Sequence, residues 1–377
     1  MPEQTKNKIQ FSNNTKKAYM EAFEYLLKAC LSENKQEINL LKDKWVNLVN
    51  PNDMDYKSMR LIPLFYDHIK KYDIEIPFKK RLDIVYQYWW LKTVAKQKII
   101  ADIENVFSNN NIKYCFIKGS ALFNLYDKPH HRTTGDIDIV ISTKDLKKAN
   151  SILKLLDFNF SKIQNFSVNY FFGIFRNITN QIFFYKEKPY VEIDLHFKFS
   201  SFFSARFQKK MWNECTNESN YLNNIELQFF LVCLNGYHSI HEHLNWVIDA
   251  SKIIAKHSNI SFKKIEEIVE ANKLNNDWIE ITKILFEYNQ NIPISKLNTL
   301  RRYRPKSFIS YTLSTEDRIQ KLKDHFNYCY LVYYSNNGVF NRFKFYKIIF
   351  LYTIQRTINL LYMLFTEKDE KIESLRN

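Results

Sequence analysis

Asn111-Ile-Lys-Tyr-Cys-Phe-Ile-Lys-Gly-Ser-Ala-Leu122, followed after a short loop by Arg132-Thr-Thr-Gly-Asp-Ile-Asp-Ile-Val140, is the stretch on which the fold turns. Tyr114 to Ile117 reads as a short apolar strand and Ser120 to Tyr126 as a short helix. Ile137 to Ile141 reads as a second strand, rich in β-branched residues. Strand side chains alternate between faces, so Asp136 and Asp138 project to one side while Ile137 and Ile139 point to the core. The chain has only five glycines, and two of them, Gly119 and Gly135, fall here. Gly119 after a strand permits a tight turn and close approach to a ligand, and Ser120 can cap the helix and offer its N–H and hydroxyl to phosphate.

Working outward, a helix carrying Leu146, Ala149, Ile152, Leu153 and Leu156 follows. Val168 to Phe175, Gln181 to Tyr185 and Tyr190 to Phe199 then read as further strands. In Val191-Glu-Ile-Asp-Leu-His196, Glu192, Asp194 and His196 share one strand face, with Val191, Ile193, Leu195 and Phe197 on the other. The first hundred residues read as all-helical. Tyr19, Ala22, Phe23, Leu26, Leu27 and Cys30 lie at helical spacing, as do Ile38, Leu41, Trp45 and Leu48. A third helix is expected near Ser58 to Lys71 and a long one after Pro77. Helical patterns return beyond residue 203, around Leu227 to Leu234, Leu244 to Ser251 and Leu322 to Phe365.

The expected architecture is therefore α+β, a small mixed sheet flanked by N- and C-terminal helical regions. The expected divisions are a helical region at 1–109, an α/β core at 110–200, a helical domain at 201–300, and a basic linker with C-terminal helices at 301–377. Pro305 and the basic residues Arg301, Arg302, Arg304 and Lys306 mark the linker.

Fifty-five Lys and Arg against 40 Asp and Glu give a formal charge of +15, which attracts anions without choosing among nucleotide, nucleic acid and acidic lipid. Five widely spaced cysteines with no Cys-x-x-Cys pair speak against a zinc site or disulfide framework and for reduced thiols. With no apolar core of a signal peptide at the N-terminus, the expected location is cytoplasmic. Tyr346 to Phe365 is the most hydrophobic run, yet Lys347, Gln355, Arg356 and Asn359 interrupt it. A buried or interfacial helix is expected rather than a span. Its basic, aromatic approach through Arg342, Lys344 and Lys347 leaves peripheral contact with anionic lipid as a minor reading.

Two carboxylates two residues apart repel each other unless a cation lies between them. Mg2+ binds through one or two carboxylates plus substrate phosphates, so the Asp136/Asp138 pair suits a nucleotide-bound metal. The plainer alternative is an acidic strand edge facing water. A third acid is needed if two metals are to serve an in-line displacement. Asp194 is the choice, with Glu192 and His196 as secondary candidates. His238, His241 and His243 invite a metal reading, but on a helix i and i+5 diverge, so packing is preferred over zinc.

Together, Ile117-Lys-Gly-Ser-Ala-Leu122, Tyr126, Arg132-Thr-Thr-Gly-Asp-Ile-Asp-Ile-Val140, Asp194-Leu-His196 and Leu244-Asn-Trp-Val-Ile-Asp249 resemble the largely uncharacterised bacterial nucleotidyltransferases of the polymerase-β-type superfamily. The resemblance covers about residues 80 to 255, and its Asp-x-Asp block is the specific part. It implies a transferase that moves a nucleoside monophosphate from an NTP such as ATP to an acceptor and releases pyrophosphate. It also implies that Lys118, Gly119 and Ser120 line the triphosphate, that Arg132 steadies phosphate charge, and that Asp136, Asp138 and Asp194 bind Mg2+ or Mn2+. The acceptor stays open among a protein hydroxyl, a small metabolite and a sugar, and Asp249 reads as a structural partner. Two competing readings are a catalytically silent nucleotide-binding or regulatory module and an RNA-directed nucleotidyltransferase. Nucleic acid is not favoured, because the aromatics lie at core-like spacing rather than in an exposed stacking pattern.

Overall fold

The computed structural model describes residues 13–160, 181–200, 202–215, 224–239 and 244–289. The expected strand at Val168 to Phe175, the linker near Arg301 and the helices from Leu322 to Phe365 lie outside these residues, as do His241 and His243.

Four helices come first: α1 (Asn13–Leu31), α2 (Lys35–Leu48), α3 (Tyr56–Lys71) and α4 (Lys79–Asn109). Local chemistry sets their starts. Asn34 caps α2 by accepting from the Gln36 and Glu37 amides, and Asp55 caps α3 by accepting from Ser58. Apolar stripes then fold α1 to α3 together through Phe23, Leu26, Leu27, Trp45 and Phe65.

The chain next forms β1 (Tyr114–Ile117), two 3₁₀ helices (Lys118–Leu125 and Pro129–His131), β2 (Asp136–Ile141), α5 (Leu146–Leu155), β3 (Asn159–Phe160), β4 (Gln181–Glu187) and β5 (Tyr190–His196). These strands make a mixed five-stranded sheet in the order β1-β2-β5-β4-β3. The β2/β5 pair is parallel, and β1/β2, β4/β5 and β3/β4 are antiparallel. The expected α+β class and mixed sheet are thus present. Two details differ from the sequence reading. The short helix after β1 is 3₁₀ and starts at Lys118, and β5 ends at His196, where its partner β4 begins opposite at Gln181.

Among the described residues five more helices follow: α6 (Ala205–Cys215), α7 (Ile225–His238), α8 (Asn245–Lys256), α9 (Phe262–Ala271) and α10 (Asn275–Tyr288). Their apolar faces join those of α1 to α3 in one core, which also holds Cys115, Ile117 and Val140 from one face of the sheet. The opposite face, with Ile137, Ile139, Ile193 and Leu195, packs on α5 and the second half of α4 in a second core. The polar residues of β2 and β5 therefore look toward the helical body.

Cys30 and Cys233 are free and buried. Cys115, however, is disulfide-bonded, which corrects the expectation that all five thiols are reduced. Sequence spacing carries no information on which sulfurs meet in space. Among the described residues no helix is long and apolar enough to cross a membrane.

Candidate active site

Parallel pairing of β2 with β5 sets Asp138 opposite Asp194 and Asp136 opposite Glu192. Residues in register on one face are close neighbours, so acids more than fifty positions apart in sequence meet. Asp138, Asp194 and His196 each place a donor atom within 4.8 Å of the other two, and all three are buried. His196 Nε2 lies 2.7 Å from Asp138 Oδ1, and Gln181 Nε2 donates to Asp194 Oδ2 at 2.8 Å.

Beside them opens a cleft of about 400 Å³, lined by Asp136, Asp138, His196, Lys118, Gly119 and Arg132 and closed on the far side by α7 and α8 residues such as Asn235 and Trp246. Gly236 lets that wall form. A Cβ there would stand 2.1 Å from the Trp246 ring.

The carboxylates disturb one another. The charge of Asp138, and then burial, push Asp136 up to about 6. Burial, followed by the charges of Asp136 and Asp138, pushes Asp194 up to about 7. Burial acts to raise Asp138 too, but Lys118 and His196 outweigh it and hold that carboxyl at about 2. The Lys118 ammonium sits 2.6 Å from Asp138 Oδ1 and is the cation that answers this acidic cluster. Two carboxylates, an imidazole and the adjoining Asp136 form a donor set that fits a hard or borderline divalent ion such as Mg2+ or Mn2+.

Other expected residues fall into different places. Gly119 is not the left-handed residue of the turn; Lys118 is, with φ of 55°. Gly119 serves close packing instead, since a Cβ would come 2.6 Å from Thr134 Cγ2 and 3.3 Å from Arg132 Nη2. Ser120 is buried, and its hydroxyl donates to the Ile117 carbonyl at 3.3 Å. Glu192 accepts from the Tyr190 hydroxyl. Arg132 points its Nε at Asp249 Oδ1, 2.6 Å away, and the Tyr126 hydroxyl donates to the same oxygen at 2.5 Å. Asp249 thus has the partner role expected of it. His238 stacks on Phe202 with ring centroids 4.0 Å apart and lies 3.1 Å from Asp277.

Two further residues bear on the site. Lys96 of α4 is buried and donates to the Thr134 carbonyl, to Thr134 Oγ1 at 3.0 Å and to the Gly135 carbonyl at 2.8 Å, which fixes the loop that enters β2. Burial pushes its ammonium down to about 7. A signal for it existed in the sequence: Lys96 interrupts the buried stripe formed by Trp89, Thr93, Ile100 and Ile103. Arg60 of α3 also lines the cleft, and no spacing or motif marks it.

Compared with known proteins, the chain matches no curated protein and no solved structure. A family model described as "uncharacterised nucleotidyltransferase" matches residues 56–285, well over half of the chain. The match runs from the first residue of α3 into α10 and so takes in the sheet, the acidic cluster and both walls of the cleft. By its sequence the chain belongs to this family of uncharacterised nucleotidyltransferases, and is an enzyme of the transferase class.

Proposed function

We propose that the protein transfers a nucleoside monophosphate from a metal-bound NTP to an acceptor hydroxyl, with release of pyrophosphate. One observation carries the reading: the β2/β5 register gathers Asp138, Asp194 and His196 within 4.8 Å beside a cleft. Asp136, Asp138 and Asp194, with His196 at their side, are the residues that would hold Mg2+ or Mn2+. Such a cation, when bound, supplies charge neutralisation for the phosphates and polarises the α-phosphoryl group.

The acceptor oxygen forms a bond to the α-phosphorus as the bridging α–β P–O bond breaks, and the electron pair leaves with pyrophosphate. Asp194 orients or takes the acceptor proton, aided by the cation it would help to hold. Lys118 and the narrow turn at Gly119 and Ser120 face the phosphate chain. Lys118 gives up its contact with Asp138 when the phosphates arrive, exchanging one anionic partner for another. A protein hydroxyl, a small metabolite and a sugar all remain chemically suitable acceptors.

The test is to incubate purified protein with α-radiolabelled NTPs, Mg2+ or Mn2+ and an acceptor screen read by added nucleotide mass, with Asp136→Ala in parallel. Transfer and pyrophosphate release by wild type alone is the expected result. Absence of both transfer and nucleotide binding overturns the reading. Tight binding without turnover across the screen points instead to a silent nucleotide-binding module.

A further inference from the structure

The cations of the cleft are unevenly matched. Arg132 is answered by Asp249 at 2.6 Å and Lys118 by Asp138 at 2.6 Å. Lys96 spends its donors on the loop before β2. Arg60 and Lys198 line the same cleft with no carboxylate within ion-pair distance among the described residues, and of the two only Arg60 carries a guanidinium.

Arg60 is nevertheless held in place. Its Nη2 donates to the Thr133 carbonyl at 3.2 Å, and Thr133 Oγ1 donates back to the Arg60 carbonyl at 3.0 Å. This reciprocal latch ties α3 to the residue next to Arg132 and three before Asp136. The Nε of Arg60 is buried with no hydrogen-bond partner. Burial, and then the neighbouring charge of Arg132, hold its pKa below the ordinary guanidinium value. Two neighbouring guanidinium groups, of which only Arg132 has a carboxylate at ion-pair distance, are costly until an anion arrives, although the charges of Asp136 and Asp249 offset part of that cost at Arg60. Through Thr133, Arg60 stands on the Gly119 side of the acids, because Gly119 packs against Thr134 and Arg132. Gln181, by contrast, is bound to Asp194 on the other side.

We propose that Arg60 is the guanidinium that receives the outer phosphates of the nucleotide, while Arg132 is a buried support committed to Asp249. A planar guanidinium fork matches two phosphate oxygens at once, which a point-charge ammonium does not. The assignment rests on the nucleotidyl-transfer reading and replaces Arg132 by Arg60 as the phosphate ligand.

The test compares full-length wild type, Arg60→Lys and Arg60→Met for binding of Mg·ATP and of inorganic tripolyphosphate by calorimetry, with melting temperature and Mn2+ binding as controls. Arg60→Met is expected to weaken both phosphate ligands by about 30-fold, and Arg60→Lys by about tenfold, with Mn2+ binding unchanged. Where transfer is measurable, KM for the NTP rises with kcat within about threefold. Wild-type affinity retained in both variants overturns the proposal and leaves the function intact. A wild type that binds neither ligand overturns both.

If the variants do not fold, wild type treated with phenylglyoxal decides. Saturating tripolyphosphate is expected to protect Arg60 in the peptide mass spectrum, and equal modification with and without it overturns the assignment.

Discussion

Replacing Asp249 with alanine removes the carboxylate that receives both Arg132 Nε at 2.6 Å and the Tyr126 hydroxyl at 2.5 Å. Asp249 is 1% exposed and Arg132 8%, so little water reaches the guanidinium or the phenol. Breaking a buried ion pair by deleting one partner costs about 3–5 kcal/mol, because the remaining charge is left uncompensated. The stranded Tyr126 hydroxyl contributes a further cost of about 1–3 kcal/mol, which overlaps with the first because both groups share one oxygen. The expected loss is thus about 4 kcal/mol, a large share of a typical unfolding free energy of about 5–15 kcal/mol. Urea denaturation followed by circular dichroism should show the midpoint falling by about 1–4 M, given slopes of about 1–3 kcal/mol/M. The double variant Arg132→Met with Asp249→Leu removes both charges and fills the space, and should recover at least about 2 kcal/mol of that loss. A single-variant loss below about 1 kcal/mol, or a double variant as unstable as the sum of its parts, would refute the view of this pair as a mutually dependent buried couple.

Gly119→Ala should destabilise the protein by about 1–3 kcal/mol, since the new methyl meets Thr134 Cγ2 at 2.6 Å, and Thr134→Ser in the same chain should restore most of it in thermal melts. Asp136 at about 6 and Asp194 at about 7 both lie above the ordinary 3.8. The folded state therefore holds more protons than the unfolded one between about pH 4 and 7, and the metal-free protein should lose stability as pH rises through that window. Added Mn2+ should raise the melting temperature at pH 8 and have little effect at pH 5; a stabilisation independent of pH would contradict this. Lys118→Met frees Asp138 of its ammonium partner 2.6 Å away, so the nucleotide-free variant should bind Mn2+ on the order of tenfold more tightly at pH 8 while binding ATP more weakly, both read by calorimetry.

Much of the site can be read from local periodicity. Alternation alone assigns Asp136 and Asp138 to one face of β2, and Glu192, Asp194 and His196 to one face of β5. Adding the register between the two strands completes the cluster, but a register is a tertiary fact. The same distinction explains what the sequence leaves hidden. Glycine is the natural candidate for a left-handed turn, yet Lys118 takes that conformation, because β1 and the tight contact with Thr134 dictate where the chain must bend. Arg132 reads as a phosphate ligand from its chemistry. Only the fold brings Asp249, more than a hundred residues away, into contact with it. Arg60 lies on an ordinary amphipathic helix, and nothing in its neighbours foretells that Thr133 will meet it. The helices α9 and α10 have regular apolar spacing, but the helical return after residue 203 does not single them out in a region where every segment is periodic.

The long helix α4 contributes Leu82, Val85 and Trp89 to the core of the helical body and Ile99, Ile103 and Phe107 to the core beneath the sheet, with Lys96 between them holding the strand of the acids. It acts as a shared beam in a two-storey frame, so neither storey has a wall of its own at that side. A fragment cut at the start of β1 would lose half its flooring and the clasp on Gly135 together. Trimming this enzyme toward a minimal catalytic unit therefore has to keep the beam whole.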